Sequence, residues 1–567
     1  MSRPMDRIPP MHVTRRFSAL LLAALSFGLA ASPLTAAQSA VRAVQIGDTV
    51  AGVGTVNKVV EAIVNDSGEW LVHAGTDNED ATIDGVLIRN GFLTLQEGTT
   101  VGNPSGARID VFRSLNLDSR GDAGWELRLL NALPAIYGLY YNTRLIVLDG
   151  DPAPAPFSAG ATYFSFNKIA RYNDNWQMLV LCLVAEPSVP GANEDALIVF
   201  STDGNGTLTD EKVLAYEGAT LNGQSNTVRQ ITGNRNSFAI NDAGQAMYLV
   251  RMNGPTSSDY AIYLDEEIVA QENMNSPQAG RRFESLNGAR VDLNDRGDIV
   301  YTANLTGNTS SDSVIFKNDS IFVREGGPAV PGVIQSFGSG TPVQVTDAGD
   351  VVYYANSTGA TASDESIYFN RTPIVREGVT PVGSDIVVTV KNSAESFNVS
   401  PNGRYLMFIG TTEDPIGGDL IEGAFVVDIG GTEILDGCYG NQPTLRRTDG
   451  FPVQGTTMTL SLNNAQAQGA LSFLMASDRL VPGAPPCGLQ IPSGELLIDF
   501  GQNGNPIAGF LGTSWIGSPV EIQVPIPTGP GLTDLSLYLQ GIFFDSVGNS
   551  SQPLALTNAL RIEIGAP

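Results

Sequence analysis

Histidine, cysteine and basic residues are all scarce in this 567-residue chain, and each shortage removes a class of chemistry. There are two histidines, three cysteines, and 32 Lys+Arg against 59 Asp+Glu, for a formal net charge of −27. A zinc site with two His ligands would need His12 and His73 together, and His12 lies in an N-terminal segment read below as removed. A Ser-His-Asp triad would depend on His73 alone, which follows Trp70-Leu71-Val72 in a strand pattern and reads as structural. The acidity opposes nucleic acid and anionic membranes as partners, because phosphate binding requires basic clusters. No P-loop, dinucleotide fingerprint or Cys-x-x-Cys is present.

Only one apolar run is long enough to attract notice. Residues 1–37 read as a secretory signal: Arg15 and Arg16 form the basic region, Phe17 to Ala30 the apolar stretch, and Thr35, Ala36 and Ala37 the small residues before cleavage. Removal leaves 28 Lys+Arg against 58 Asp+Glu, a net −30, and no stable membrane insertion. An exported chain is expected, periplasmic, cell-surface or extracellular. Export permits Cys438 and Cys487 to pair across 49 residues, while Cys182, inside Met178-Leu179-Val180-Leu181-Cys182-Leu183-Val184, reads as a small buried hydrophobe.

What the chain does have is a repeat. An apolar strand ending in Asn-Asp-x-Gly recurs as Val64-Asn65-Asp66-Ser67-Gly68, Leu117-Asp118-Ser119-Arg120-Gly121, Ile240-Asn241-Asp242-Ala243-Gly244, Leu293-Asn294-Asp295-Arg296-Gly297, Val345-Thr346-Asp347-Ala348-Gly349 and Val399-Ser400-Pro401-Asn402-Gly403. Tyr172-Asn173-Asp174-Asn175 is a degenerate copy, with 175 as its turn position. A period near fifty built of short strands is the signature of a propeller or array. In the fifth copy, Arg290 to Leu293, Asp298 to Asn304, Ser313 to Lys317 and Ser320 to Arg324 read as four strands, joined by turns in which Asn and Asp bond their own backbone. The third copy carries extra residues, 188–193 and 201–212, expected as surface loops.

The fold class is therefore all-β: a seven-bladed β-propeller over 38–436, followed by a small β-sandwich over 437–567. The mature N-terminus, Val44-Gln45-Ile46-Gly47-Asp48, reads as a strand completing the seventh blade, which would hide two strand edges. In the C-terminal part, Leu560, Ile562 and Ile564 alternate with Arg561 and Glu563, the pattern of a strand with one buried face.

Ser400-Pro401-Asn402-Gly403-Arg404-Tyr405-Leu406-Met407-Phe408, followed by Phe425-Val426-Val427-Asp428, resembles the repeat of TolB-like propellers, and the Asn-Asp-x-Gly copies resemble a related repeat of exported bacterial propellers. The resemblance covers about 390 residues and implies protein or ligand binding, with no shared catalytic residue. The C-terminal block is similar to modules appended to exported bacterial proteins.

Carboxylates are the remaining source of chemistry. The acid after each fourth strand, Glu97, Asp149, Glu217, Glu272, Glu325 and Glu377, stands 28 or 29 residues after its turn position in five of six copies. Equivalent blade positions would form an acidic ring able to bind calcium or a basic peptide, or each acid would accept backbone hydrogen bonds and end its strand. Asp66, Asp118, Asp242, Asp295 and Asp347 read as turn residues. Asp203-Gly204-Asn205-Gly206-Thr207 starts like a calcium loop, but Leu208 and Leu214 occupy the places of its Gly and Glu, which excludes an EF-hand. The leading expectation is a noncatalytic binding protein, without a cofactor, presenting a propeller face to a protein or glycan, with a C-terminal attachment or assembly module. The alternatives are a carbohydrate-active hydrolase or lyase using channel carboxylates, and calcium-dependent adhesion.

Overall fold

The fold is built almost entirely from antiparallel pairs of short strands, with one 3-10 turn at Arg235–Ser237 and no α-helix among the described residues. The computed structural model describes residues 39–566 apart from 132–135, 188–192, 331, 339, 414–417, 442, 464–469, 493, 500–507 and 546–553. The expected signal segment, 1–37, and the first insert of the third repeat fall largely outside these. Contacts divide the chain into two compact units, Ala37–Ile429 and Gly430–Pro567.

In the first unit each repeat folds as one small sheet, and seven such sheets are present among the described residues. The fifth repeat shows the pattern: Val291–Leu293 pairs with Ile299–Leu305, which pairs with Ser313–Lys317, which pairs with Ser320–Arg324. Its first turn explains the Asn-Asp-x-Gly motif. Asn294 Oδ1 accepts from the N–H groups of Arg296 and Asp298 at 3.1 and 2.8 Å, and Gly297 takes φ +81°, a region costly for residues with a Cβ. The same side chain also acts between sheets, since Asn294 Nδ2 donates to Thr346 O of the sixth repeat at 2.7 Å. Asn65, Asn173 and Asn241 make the equivalent bond to Asp118 O, Asn241 O and Asn294 O.

The third repeat departs from expectation twice. Its left-handed turn residue is Trp176, at φ +57°, and the position read as Asn175 lies one residue early. Its second insert is strand rather than loop: Leu208–Tyr216 pairs with Asn193–Thr202, and only 203–207 turns between them, with Asp203 Oδ1 accepting from Asn205 N and Thr207 N.

Apolar faces are buried between consecutive sheets. Leu179, Leu181 and Val199 of the third sheet share a core with Ile240, Tyr248 and Val250 of the fourth, and Met247, Leu249 and Ile262 of the fourth share another with Val291, Tyr301 and Phe316 of the fifth. Met407, Ile409 and Ala424 of the seventh pack with Val64, Val72 and Val86 of the first, which closes the series on itself in a propeller-like arrangement. Stacked cross-strand rings recur at one position, Tyr248–Tyr263, Tyr301–Phe316 and Tyr353–Tyr368, with centroids 5.6, 5.0 and 5.3 Å apart. Val41–Gln45 pairs antiparallel with Leu420–Asp428, so the N-terminal strand is part of the last sheet.

In the second unit, a three-stranded sheet (Thr444–Asp449, Thr457–Asn463, Val520–Pro525) and a five-stranded sheet share one core, in which Leu445, Met458 and Leu460 meet Leu474, Phe543 and Leu560. Gly431–Leu435 pairs with Leu554–Glu563, so this unit starts at Gly430, seven residues before the expected Gly437. Cys438 and Cys487 form a disulfide, and Cys182 is free and buried. Among the described residues no helix is long and apolar enough to cross a membrane.

Candidate functional site

The first strands of all seven sheets converge on a narrow cavity of about 180 Å³. Its lining is tied together circumferentially. Each of four inner-strand side chains accepts a backbone N–H from the following sheet: Asp292 from Val345, Gln344 from Val399, Asn398 from Val64, and Glu61 from Leu115. Two ion pairs cross it. Arg171 of the third repeat meets Asp292 of the fifth at 2.9 Å, and Arg235 of the fourth meets Glu61 of the first.

Asp66, Asp174, Asp242, Asp295 and Asp347 line the turn end of this cavity. They are more than local turn acceptors. Asp242 Oδ1 accepts from Asp174 N at 2.7 Å, Asp295 Oδ1 from Asp242 N at 2.6 Å, and Asp66 Oδ1 from Asn402 N at 2.8 Å. Burial, followed by the neighbouring Asp295, Asp66 and Asp242 charges, raises Asp347 to about 8, and burial with Asp295 and Asp174 nearby raises Asp242 to about 6. Asp118 belongs to a different position, that of the turn Asn. Lacking an amide N–H, it makes no bond to the third repeat among the described residues, where Ser119 N donates to Asp174 Oδ1 at 3.0 Å and Arg120 Nη1 to Asp174 O at 2.5 Å.

None of Glu97, Asp149, Glu217, Glu272, Glu325 and Glu377 lines this cavity or the larger one described below. Each follows the outermost strand of its own sheet. Glu97 Oε2 accepts from Gly85 N, the Asp149 carboxylate from Ile136 N, and Glu272 from Tyr260 N and Leu286 N, while Glu217, Glu325 and Glu377 bond through their backbone N–H to Asp195, Ser313 and Glu365. Burial, together with the adjacent Asp84 carboxyl, raises Glu97 to about 7; burial, with Glu365 and Asp364 close by, raises Glu377 to about 7. The fourth strands are the outermost of their sheets, which places these acids at the sheet edges and not in the lining of either cavity. Among the described residues no group of three or more His, Cys, Asp or Glu is arranged to hold a metal ion.

The larger cavity, about 870 Å³, breaks the repeat. Among the described residues its wall comes from the first, second, third, fourth and seventh sheets, with nothing from the fifth and sixth. Lys58, Glu61 and His73 come from the first repeat, Phe112 and Arg113 from the second, Asp195 from the third, Gln230 and Arg235 from the fourth, and Lys391 and Glu395 from the seventh. Two of the chain's five lysines are therefore in one cavity. Glu61 and Arg235 line both cavities, so their ion pair stands between the two.

His73 is 8 % exposed and meets Phe112 edge-on at 5.7 Å. Burial, and secondarily the Lys58 charge, lowers it to about 4, so it is neutral at physiological pH. Arg113 is paired with the buried Glu126 at 3.5 Å and lies over the Tyr137 ring. Among the described residues Lys391 Nζ reaches only a backbone carbonyl, Val59 O, at 3.4 Å. Burial and the Glu217 charge raise Asp195. Sequence reasoning missed Lys58, Arg113, Arg235 and Lys391 because they occupy non-equivalent places in their repeats; the scarcity of lysine was the available signal.

Among solved structures the chain is similar to puromycin hydrolase (10 % identity, 73 % of this chain and 53 % of that one, TM-score 0.29) and to an alpha-L-arabinanase of Penicillium chrysogenum complexed with arabinobiose (9 % identity, 69 % and 98 %, TM-score 0.24). The chain thus spans about half the length of that hydrolase. No curated protein matches. Residues 30–372 match the model of a family of unknown function, DUF7453, and the chain belongs to that family.

Proposed function

We propose that this protein is an exported, noncatalytic binding protein: a seven-bladed β-propeller with TolB-like repeats, closed by its N-terminal strand, which takes a protein or glycan ligand in the 870 Å³ cavity. In this reading 1–37 is a cleaved signal peptide and the C-terminal unit is a β-sandwich used for attachment or assembly. The asymmetry of the cavity carries the reading. A repeat scaffold needs every blade to be alike for packing, and functional sites are where that agreement is given up. The volume lies within the roughly 300–1,000 Å³ typical of ligand sites. No cofactor enters this reading, and chelation of calcium is expected to leave binding unchanged.

Glu61, Asp195 and Glu395 on the same wall favour one second reading, a hydrolase or lyase working on glycans with two of these carboxylates. Incubating the mature protein on a glycan and polysaccharide array, with and without EDTA, separates the two. Retention without product, weakened by substitutions in the cavity, is expected; product release abolished by Glu395→Gln would establish the second reading instead.

A further inference from the structure

Resting on the binding reading above, we propose that the ligand of the larger cavity is an acidic sugar, whose oxyanion is held between Lys58 and Lys391. The first support is the state of the two lysines. Lys58 is exposed and has no hydrogen bond or ion pair among the described residues, and the half-buried Lys391 has only the 3.4 Å bond to Val59 O. The other two cations of the cavity are committed, Arg235 to Glu61 and Arg113 to Glu126. Neither ammonium group is held in an ion pair, and an oxyanion placed between them gains charge-assisted hydrogen bonds from both.

The remaining wall favours hydroxyl groups over an apolar anion. Asp195 and Glu395 are acceptors for sugar O–H donors, and Gln230 and Ser114 offer both donor and acceptor atoms. His73 stays neutral there, so charge recognition falls to the lysines. Carboxylate and phosphate share this oxyanion chemistry, and the probes below distinguish them.

The test is calorimetric titration of the full mature chain with a uronic-acid trisaccharide, the corresponding neutral trisaccharide, and a sugar phosphate. The expected result is binding of at least one acidic probe, with the neutral trisaccharide at least about tenfold weaker, the factor that one charge-assisted hydrogen bond supplies. Lys58→Gln and Lys391→Gln should each lose about tenfold in affinity with unchanged melting temperature, Lys391→Arg should retain most of it, and Lys212→Gln, away from the cavity, should behave as wild type. A neutral sugar bound as tightly as the acidic ones, or acidic binding indifferent to both lysines, overturns the proposal. If cavity substitutions still abolish array retention in that case, the binding reading stands without it; if they do not, both fall.

Discussion

Arg235, in the 3-10 turn before the inner strand of the fourth repeat, forms an ion pair with Glu61 on the inner strand of the first, and both are largely buried. Glu61 also accepts from Leu115 N, and Arg235 donates to Leu115 O, so one pair joins the first, second and fourth repeats. A cation and an anion from distant parts of the chain are thereby placed in the lining shared by the two cavities.

Breaking that pair leaves a buried charge without its partner. Arg235→Met should destabilise the first unit by about 3–5 kcal/mol, whereas the double variant Glu61→Gln/Arg235→Met should recover most of the loss. Urea unfolding at constant m-value measures both. Equal destabilisation in the single and double variants would mean that the pair contributes packing rather than charge compensation.

The turn asparagines do two jobs, and substitution can separate them. Asn241 is 3 % exposed; its Oδ1 accepts from Gln245 N and its Nδ2 donates to Asn294 O at 2.9 Å. Asn241→Ala loses both and should cost about 1–2 kcal/mol, because two buried hydrogen bonds go while Asn294 O keeps the N–H of Gly297. Asn241→Asp keeps the turn acceptor and should fall between wild type and alanine at low pH, mimicking Asp118. Chemical denaturation provides the comparison.

Raised carboxyl pKa values make stability fall as pH rises. Glu97 and Glu377 lie near 7 against an ordinary 4.5, and Asp347 near 8 against 3.8, so each favours the folded chain in its protonated form. Their contribution is complete below the ordinary values and is lost as pH climbs through 7 to 8. His73 opposes them with a single group: its folded value near 4 lies below 6.5, so acid favours the unfolded chain through it. The melting temperature of the first unit should therefore drop between pH 5 and pH 8, and Glu97→Gln should flatten that slope. A rise over the same interval would contradict the carboxyl pairs.

Reducing the Cys438–Cys487 disulfide should act on the C-terminal unit alone. Opening a loop of 49 residues removes roughly 4 kcal/mol in the chain-entropy model. Calorimetry with and without reductant should show one transition shifted and the other unmoved.

The local chemistry of the repeats was readable because turn residues act within a few positions: Asn294, Gly297 and the strands on either side of them follow from the sequence alone. The pairing of the N-terminal strand with Leu420–Asp428 was readable too, since the repeat count left one strand over at each end. Long-range pairing was not. Gly431–Leu435 looks like the tail of the last repeat, yet it pairs with Leu554–Glu563, more than a hundred residues later. The acids after the fourth strands were conspicuous because they repeat, and the side chains of Glu97, Asp149 and Glu272 accept backbone N–H groups within their own repeats. The cavity residues Lys58, Arg235 and Lys391 carry no period, and only the ring of sheets brings them together.

The most direct measurement is differential acylation of lysines, read by mass spectrometry, with the mature chain alone and saturated with the ligand retained on the array. Protection of Lys58 and Lys391, with Lys212 equally reactive in both states, is the predicted result. Equal reactivity of Lys58 and Lys391 with and without that ligand would contradict binding in this cavity.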